Sequence, residues 1–418
     1  MGKFIGIELR KEINKTILLI LILFILSVLF LNFVEMGKIE KINNIKDEFV
    51  INENQKIENY YSYRQYGWAG FKMLFITSPI GAVFNSTALD NLQSANDIGV
   101  RLDINNLKKG GYVFKRGIDL YRYLMVFLCC LALGFGWFSF RNRKYIKLLL
   151  STRSKSKFIV YCSILIARTI IVFLSICILT LCLIMQFYLM GINISGSEIV
   201  IIKIMLNTFL FMIFFLLSGA FLGFIKSASK SGITALIFVL IIFFLWPNFF
   251  YLLFSIKAEN EMISVYRTET EKTKVFHEFE KMRIEYIKDK EDKIKASKEL
   301  SNKFLNEGTV NRLENDLIDK TKKNIKQFHL WSIFNPVTFY ESAVNEICGS
   351  GLNEYQRFWQ ENLDKKKEFS KYIIEKMFQR QTGKIEPFLS GDDYIFYSKP
   401  TYPHYFGFGL LVQILYIV

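Results

Sequence analysis

Residues 169–190 read TIIVFLSICILTLCLIMQFYLM, an apolar run without one charged side chain. A helix needs roughly 20 such residues to cross the hydrocarbon layer, and a helix of that length that is apolar on every face has no place on a soluble surface. Four more runs meet the same requirement: Thr16 to Val34, Tyr123 to Phe140, Ile204 to Ile225 and Ile233 to Phe254. A sixth opens at Tyr405 and reaches Val418, short of a full crossing at about 1.5 Å per residue. That leaves either a protein that continues past Val418 or an incomplete span. The expected fold is an all-α membrane protein, a six-span helical bundle with a large, mostly helical insert between spans five and six.

The formal net charge of +15 would point to nucleic acid in a soluble protein, but here its placement decides. Arg141, Arg143, Lys144, Lys147, Arg153, Lys155 and Lys157 lie between the second and third spans with no acidic residue among them. By the positive-inside rule that loop is cytoplasmic. Lys226 and Lys230, and Lys3, Arg10, Lys11 and Lys15 ahead of span one, agree with it. The N-terminus is therefore expected inside, which puts the insert outside. No small-residue cleavage site follows the first run, so it reads as an uncleaved span rather than a signal peptide. Five of the six cysteines lie in or beside spans, with no disulfide or metal spacing.

These features divide the chain as follows: a cytoplasmic surface helix over 1–15, span one over 16–34, a first extracellular region over 35–122, spans two to five over 123–254, a second extracellular region over 255–403, and the start of span six over 404–418. Ile5, Leu9 and Ile13 recur every four residues, as suits a helix lying on the inner surface. The stretch around Phe71–Pro79 is apolar but too short to cross, and is expected to pack on the membrane surface or on the other external region. In the second region, 257–327 is rich in Lys and Glu, lacks proline, and carries one glycine, Gly308, fit for a turn between two long helices. Val275, Phe279, Met282 and Tyr286 form a short apolar seam in it. The aromatic segment from Trp331 to Glu341 suits the headgroup boundary. Ser78-Pro79 and Asn335-Pro336 each follow an apolar, aromatic segment.

Catalytic signals are few. No segment fits Gly-x-x-x-x-Gly-Lys-Ser/Thr, so the loop that cradles nucleotide phosphates is missing. His277-Glu278 begins like a zinc-protease motif, but Lys281 stands where its second histidine belongs. Gly349-Ser350-Gly351 reads as a loop turn. Within the spans, Arg168 either snorkels to the inner headgroups or is a buried cation that lines a pathway or locks a neighbour. Gly219 and Gly223, with Ser218 and Ala220 beside them, suit close helix packing. Pro247 is expected to kink or end the fifth span.

The stretch Leu148-Leu149-Leu150-Ser151-Thr152-Arg153-Ser154-Lys155-Ser156-Lys157-Phe158 resembles the type-2 ATP-binding-cassette permeases, which carry a leucine-rich turn, a small-residue break and an arginine there. Residues 217–232, LSGAFLGFIKSASKSG, look like their span-four ending, a small-residue patch and a basic turn. The six-span plan and N-terminal surface helix match as well, whereas the long insert at 255–403 departs from the compact exporters. The resemblance implies two paired permease chains, a homo- or heterodimer, with separate ATPase subunits gripping the loop between spans two and three. Lys144, Tyr145, Lys147, Leu148 and Arg153 would then lie at the coupling contact. It also implies that ATP and Mg are bound by the partner ATPase and that this chain holds no cofactor.

The function expected is a multi-pass permease subunit of the bacterial cell membrane that exports a hydrophobic or amphipathic substrate, a peptide rather than a lipid or drug. Its partners are an ATPase, a second permease chain and membrane lipid, and not nucleic acid. The alternative is a membrane sensor or scaffold whose external helices bind a ligand or envelope protein without transport.

Overall fold

The computed structural model describes residues 15–69, 71, 73–84, 120–141, 157–192, 194, 197–223, 228–246, 309–378 and 385–399, with isolated positions between 274 and 299. Within them lie α1 (Lys15–Glu58), α2 (Tyr63–Ala69), β1 (Leu74–Ile76), α3 (Pro79–Phe84), α4 (Leu120–Arg141), α5 (Lys157–Leu189), α6 (Glu198–Gly223) and α7 (Ala228–Leu240). A π-helical turn (Ile241–Leu245), α8 (Thr309–Ser332), α9 (Pro336–Ile347), α10 (Leu352–Phe378), a 3-10 turn (Gly391–Tyr394) and β2 (Ile395–Tyr397) follow.

Four helices among the described residues are long and apolar enough to cross a membrane: Leu21–Glu58, Leu120–Phe138, Ile159–Leu189 and Glu198–Gly223. They contain the runs expected for spans one to four. The fifth run is described as far as Trp246, and 1–14 and 400–418 lie outside the described residues.

The most extensive contact in the bundle joins α4 to α6. It is a backbone contact. A Cβ on Gly136 would sit 2.1 Å from the carbonyl oxygen of Leu216, and one on Gly219 would sit 2.2 Å from that of Leu133. Lipid tails are as apolar as leucine, so membrane helices associate through close van der Waals packing and hydrogen bonds, and small residues let the backbones approach. Polar side chains tie the other helices on. Ser27 on α1 bonds the Tyr123 hydroxyl of α4 at 2.7 Å, and the Asn32 amide donates to Gln186 Oε1 on α5 at 3.0 Å. Gln186 in turn donates to the Leu29 carbonyl at 2.9 Å, so a buried amide pair is closed on both sides.

Beyond its apolar run α1 continues unbroken from Glu35 to Glu58, a distance of about 36 Å. Met36, Ile39, Ile42, Ile45 and Phe49 recur every three or four residues there, which keeps one face apolar. Against that face pack Leu74 and Ile76 of β1, Ala82 of α3 and Ile395 of β2. The two strands pair in parallel, Leu74 with Ile395, Phe75 with Phe396 and Ile76 with Tyr397, and the Ser398 N–H donates to the Ile76 carbonyl at 2.9 Å. This sheet departs from the all-helical fold expected. It also brings the apolar stretch at Phe71–Pro79 onto residues from the far side of the spans in sequence, so that 35–84 and 309–399 build one cap.

The cap's core is aromatic. Phe75 stacks on Phe396 with centroids 5.6 Å apart, Tyr66 meets Phe369 edge-on at 5.0 Å, and Phe71 meets Phe388 edge-on at 5.8 Å. Such pairs contribute about 0.5–1.5 kcal/mol each beyond their burial. The Tyr66 and Tyr394 hydroxyls face each other at 3.4 Å inside this core.

Two predictions follow from the bundle contact and the cap core. Gly136→Ala and Gly219→Ala should each lower the thermal midpoint of the detergent-solubilised chain, by the equivalent of about 1–3 kcal/mol, because the added Cβ meets backbone that cannot turn aside. Gly134→Ala, where a Cβ meets nothing within 4 Å, should show no such loss.

Burial, before any other cause, raises both the Tyr66 and the Tyr394 hydroxyl above the ordinary value of 10.0. The folded cap thus favours the protonated phenols. Their contribution is complete below pH 10 and is lost as the pH climbs from there through the folded values. A Tyr66→Phe/Tyr394→Phe variant should therefore lose less of its thermal midpoint than the parent between about pH 9 and 11; parallel curves would assign the alkaline loss elsewhere.

Candidate functional site

The residues with the most chemistry gather where α9 meets the spans. Asn335 caps α9: its Oδ1 accepts from the N–H groups of Val337 at 2.8 Å and Thr338 at 3.0 Å. Pro336 then occupies the first turn, where a missing N–H is harmless. At the other end Gly349 takes φ +73°. Its N–H donates to the Glu346 carbonyl at 3.1 Å and the Ser350 N–H to the Asn345 carbonyl at 2.9 Å, the pattern that satisfies a helix's last carbonyls. Gly349-Ser350-Gly351 is thus a turn, as read. Asn335-Pro336 and Ser78-Pro79 both open helices, the Ser78 hydroxyl accepting from the Gly81 N–H at 3.1 Å. The two helices abut, since a Cβ on Gly81 would lie 2.3 Å from the Cys348 carbonyl oxygen.

Sealed at both ends, α9 presents three polar contacts. Glu341 accepts from the Tyr121 hydroxyl at 2.9 Å and lies 3.7 Å from Arg122 Nη2, while Arg122 Nε donates to the Tyr121 oxygen at 3.0 Å. Arg122 is 3% exposed, so this is a buried ion pair at the start of α4. Tyr340 stacks on Phe211 of α6 with centroids 4.5 Å apart. Its hydroxyl lies 2.8 Å from Thr208 Oγ1, whose own proton goes to the Ile204 carbonyl at 2.8 Å; Tyr340 is therefore the donor. The Asn207 amide donates to the Tyr340 carbonyl at 3.5 Å.

The third contact ties α8, α9 and α10 together. His329 Nδ1 lies 3.0 Å from Ser342 Oγ and Nε2 lies 3.4 Å from Glu346 Oε1. Glu346 also accepts from the Asn353 N–H at 3.2 Å. Gly351 makes room for this carboxylate, since a Cβ there would fall 2.3 Å from Glu346 Cδ. One further bond reaches α7's continuation: Asn335 Nδ2 donates to the Ile242 carbonyl, in the π-helical turn, at 3.3 Å. Each polar group named here has a partner, so the arrangement acts as a mechanical joint between cap and spans.

Of the residues singled out from sequence, Arg168 is buried, donates from Nη1 to the Phe135 carbonyl at 2.6 Å, and lies 5.7 Å from the Phe135 ring centroid. Gly219 meets the same part of α4, so α5 and α6 converge on Leu133–Gly136. Ser218 is turned to its own helix, donating to the Phe214 carbonyl at 2.9 Å, and Gly223 is buried at the end of α6. Lys144, Tyr145, Lys147, Leu148, Arg153 and Pro247 lie outside the described residues. Sequence reasoning passed over Gly136, Arg122, Glu341, Tyr340 and the Asn32–Gln186 pair. A charged or amide side chain at the edge of an apolar run was the available signal for Arg122, Asn32 and Gln186.

Compared with known proteins, residues 4–386 match the family model described as ABC-2 family transporter protein. No curated protein and no solved structure matches the chain.

The joint is testable through its ion pair. Glu341→Ala leaves Arg122 buried without this carboxylate and should cost about 3–5 kcal/mol of stability, read as thermal midpoint in detergent. The double exchange Arg122→Met/Glu341→Leu should cost much less than the sum of the two single exchanges; strictly additive losses would mean that the pair is uncoupled.

Proposed function

This chain belongs to the ABC-2 family of transporter proteins, and on that premise we propose that it is the permease subunit of an ATP-driven exporter, working by alternating access in a dimer of permease chains. The observation that carries the reading is the extent of the match, residues 4–386, which takes in all four candidate spans and nearly all of the cap. A permease of this kind does not hydrolyse ATP; an ATP-binding-cassette ATPase partners it. The basic residues of 141–157 support an inward-facing N-terminus and a cap on the outer face of the bacterial cell membrane.

We place the ATPase contact at Lys144, Tyr145, Lys147, Leu148 and Arg153. The segment that holds them joins α4 to α5, and both helices are locked at Leu133–Gly136, α5 through Arg168 and α6 through Gly219. A displacement of that segment would move three spans as one body. Tyr121 and Arg122 at the other end of α4 would pass it to α9 and the cap. The substrate proposed is hydrophobic or amphipathic. A peptide is favoured over a lipid or drug because the extended, charged α8 and the long cap portion of α1 offer more to an elongated chain than to a compact molecule.

The test is Lys144→Ala/Lys147→Ala/Arg153→Ala in the full chain. Arg141, Arg143, Lys155 and Lys157 remain, so insertion should be kept. Expected is weaker and more salt-sensitive co-purification of the ATPase, with substrate-coupled hydrolysis lost at normal membrane levels. Normal binding and normal coupled hydrolysis would remove this segment from the mechanism.

A further inference from the structure

α8 and α9 form a hairpin whose turn, Ile333–Asn335, reaches deep along the spans. Ile333, Phe339 and Ala343 pack with Leu210 of α6, and Val337, Tyr340 and Val344 share a core with Phe211, Phe214 and Phe215. Those α6 residues lie in the middle of a candidate span, Glu198–Gly223. The Asn335 bond to the Ile242 carbonyl fixes the turn beside the π-helical segment, within the fifth apolar run. One side of the hairpin tip is thus buried against helices that cross the bilayer.

The other side is bare and apolar. Leu330 is 58%, Trp331 54% and Phe334 49% exposed, and the Trp331 and Phe334 rings lie 5.9 Å apart. This surface continues onto Ile241, Leu245 and Trp246, which are exposed on the neighbouring span segment. Higher on α8 the exposed residues turn basic: Lys322, Lys323 and Lys326. Lys326 stands about 7 Å along the helix axis from Trp331, and Lys322 about 13 Å. An apolar, aromatic tip beneath a basic collar is the order in which acyl chains, the interface and phosphate headgroups succeed one another in a leaflet.

We propose that the α8–α9 hairpin is a re-entrant foot seated in one leaflet beside α7, with Leu330, Trp331 and Phe334 among lipid acyl chains and Lys322, Lys323 and Lys326 at the headgroups. The occupant of the bare face is lipid because that face is continuous with the outward surface of a membrane span. The proposal depends on the spans and not on what the chain transports, so it stands or falls apart from the exporter reading.

The test uses the full chain in nanodiscs made with lipids carrying a nitroxide on the acyl chain. An environment-sensitive fluorophore is attached at Leu330→Cys or Phe334→Cys in a cysteine-free background, with Lys320→Cys on the exposed upper part of α8 as reference. The probes at 330 and 334 should emit to the blue of the probe at 320 and be quenched several-fold more strongly. Blue-shifted emission without lipid quenching, together with Phe334→Cys cross-links between copies, would give the face to a second chain and overturn the proposal. Emission as red and as weakly quenched as at 320 would place the tip in water and overturn it too. Should the cysteine variants not fold, brominated lipid serves with native side chains. Trp331→Phe should then remove a quenched component from the tryptophan emission, and an unchanged quenched fraction counts against lipid contact.

Discussion

The bundle depends on the approach of two backbones, α4 and α6, at Gly136 and Gly219. Their carbonyls stand where a side chain's first carbon would otherwise be, and the other elements are arranged around this pair. Arg168 brings α5 to the same turn of α4, α9 lies against α6 at Phe211, and α1 joins through Ser27 and Asn32. In a medium that gives apolar surfaces no reason to leave it, such steric fits and buried hydrogen bonds replace the hydrophobic effect as the source of specificity. The ridge of contacts from Leu133 to Gly136 is then the place where a motion of one span is felt by two others.

The cap follows different physics. Its aromatic rings and amphipathic helices are those of a water-facing domain, where burying apolar surface is the driving force. The two regimes meet along α9, a short helix with both ends sealed whose side chains turn one way to α6 and the other to α8 and α10. Its buried charges, Glu341 and Glu346, each have a basic residue within 4 Å. Because α1 runs from the membrane into the cap without a break, cap and bundle also share a rigid strut. Relative motion between them has to pass through α9 and its neighbours.

The spans were readable because a bilayer imposes length and apolarity on any crossing helix, and a run such as 169–190 satisfies nothing else. Gly219 was readable for the same kind of reason, as one of a pair four residues apart. Gly136 was not, because its neighbour Gly134 is two residues away, which puts the pair on different faces of α4. The sheet was hidden more thoroughly: three-residue strands carry no periodicity, and their pairing joins residues 74–76 to 395–397. Asn335-Pro336 was visible as a helix start, yet the carbonyl it also bonds is offered by a π-helical turn that no local pattern announces. Arg168 was read with two alternatives, and the structure places it in hydrogen-bonding contact with a neighbouring span.

The parallel pairing of β1 with β2 has a consequence for how the molecule is made. Parallel strands need a crossover, and here the crossover contains α4 to α10, membrane helices included. During synthesis β1 is delivered across the membrane long before its partner, so the apolar stripe of α1 and the edge of β1 must wait uncovered while the ribosome completes the spans. Unpaired strand edges and uncovered apolar faces are what make nascent chains stick to one another. The cell therefore has to shelter this half-built cap, and the arrival of residues 395–397 closes the interval of risk and marks the point at which the chain can be released as a finished subunit.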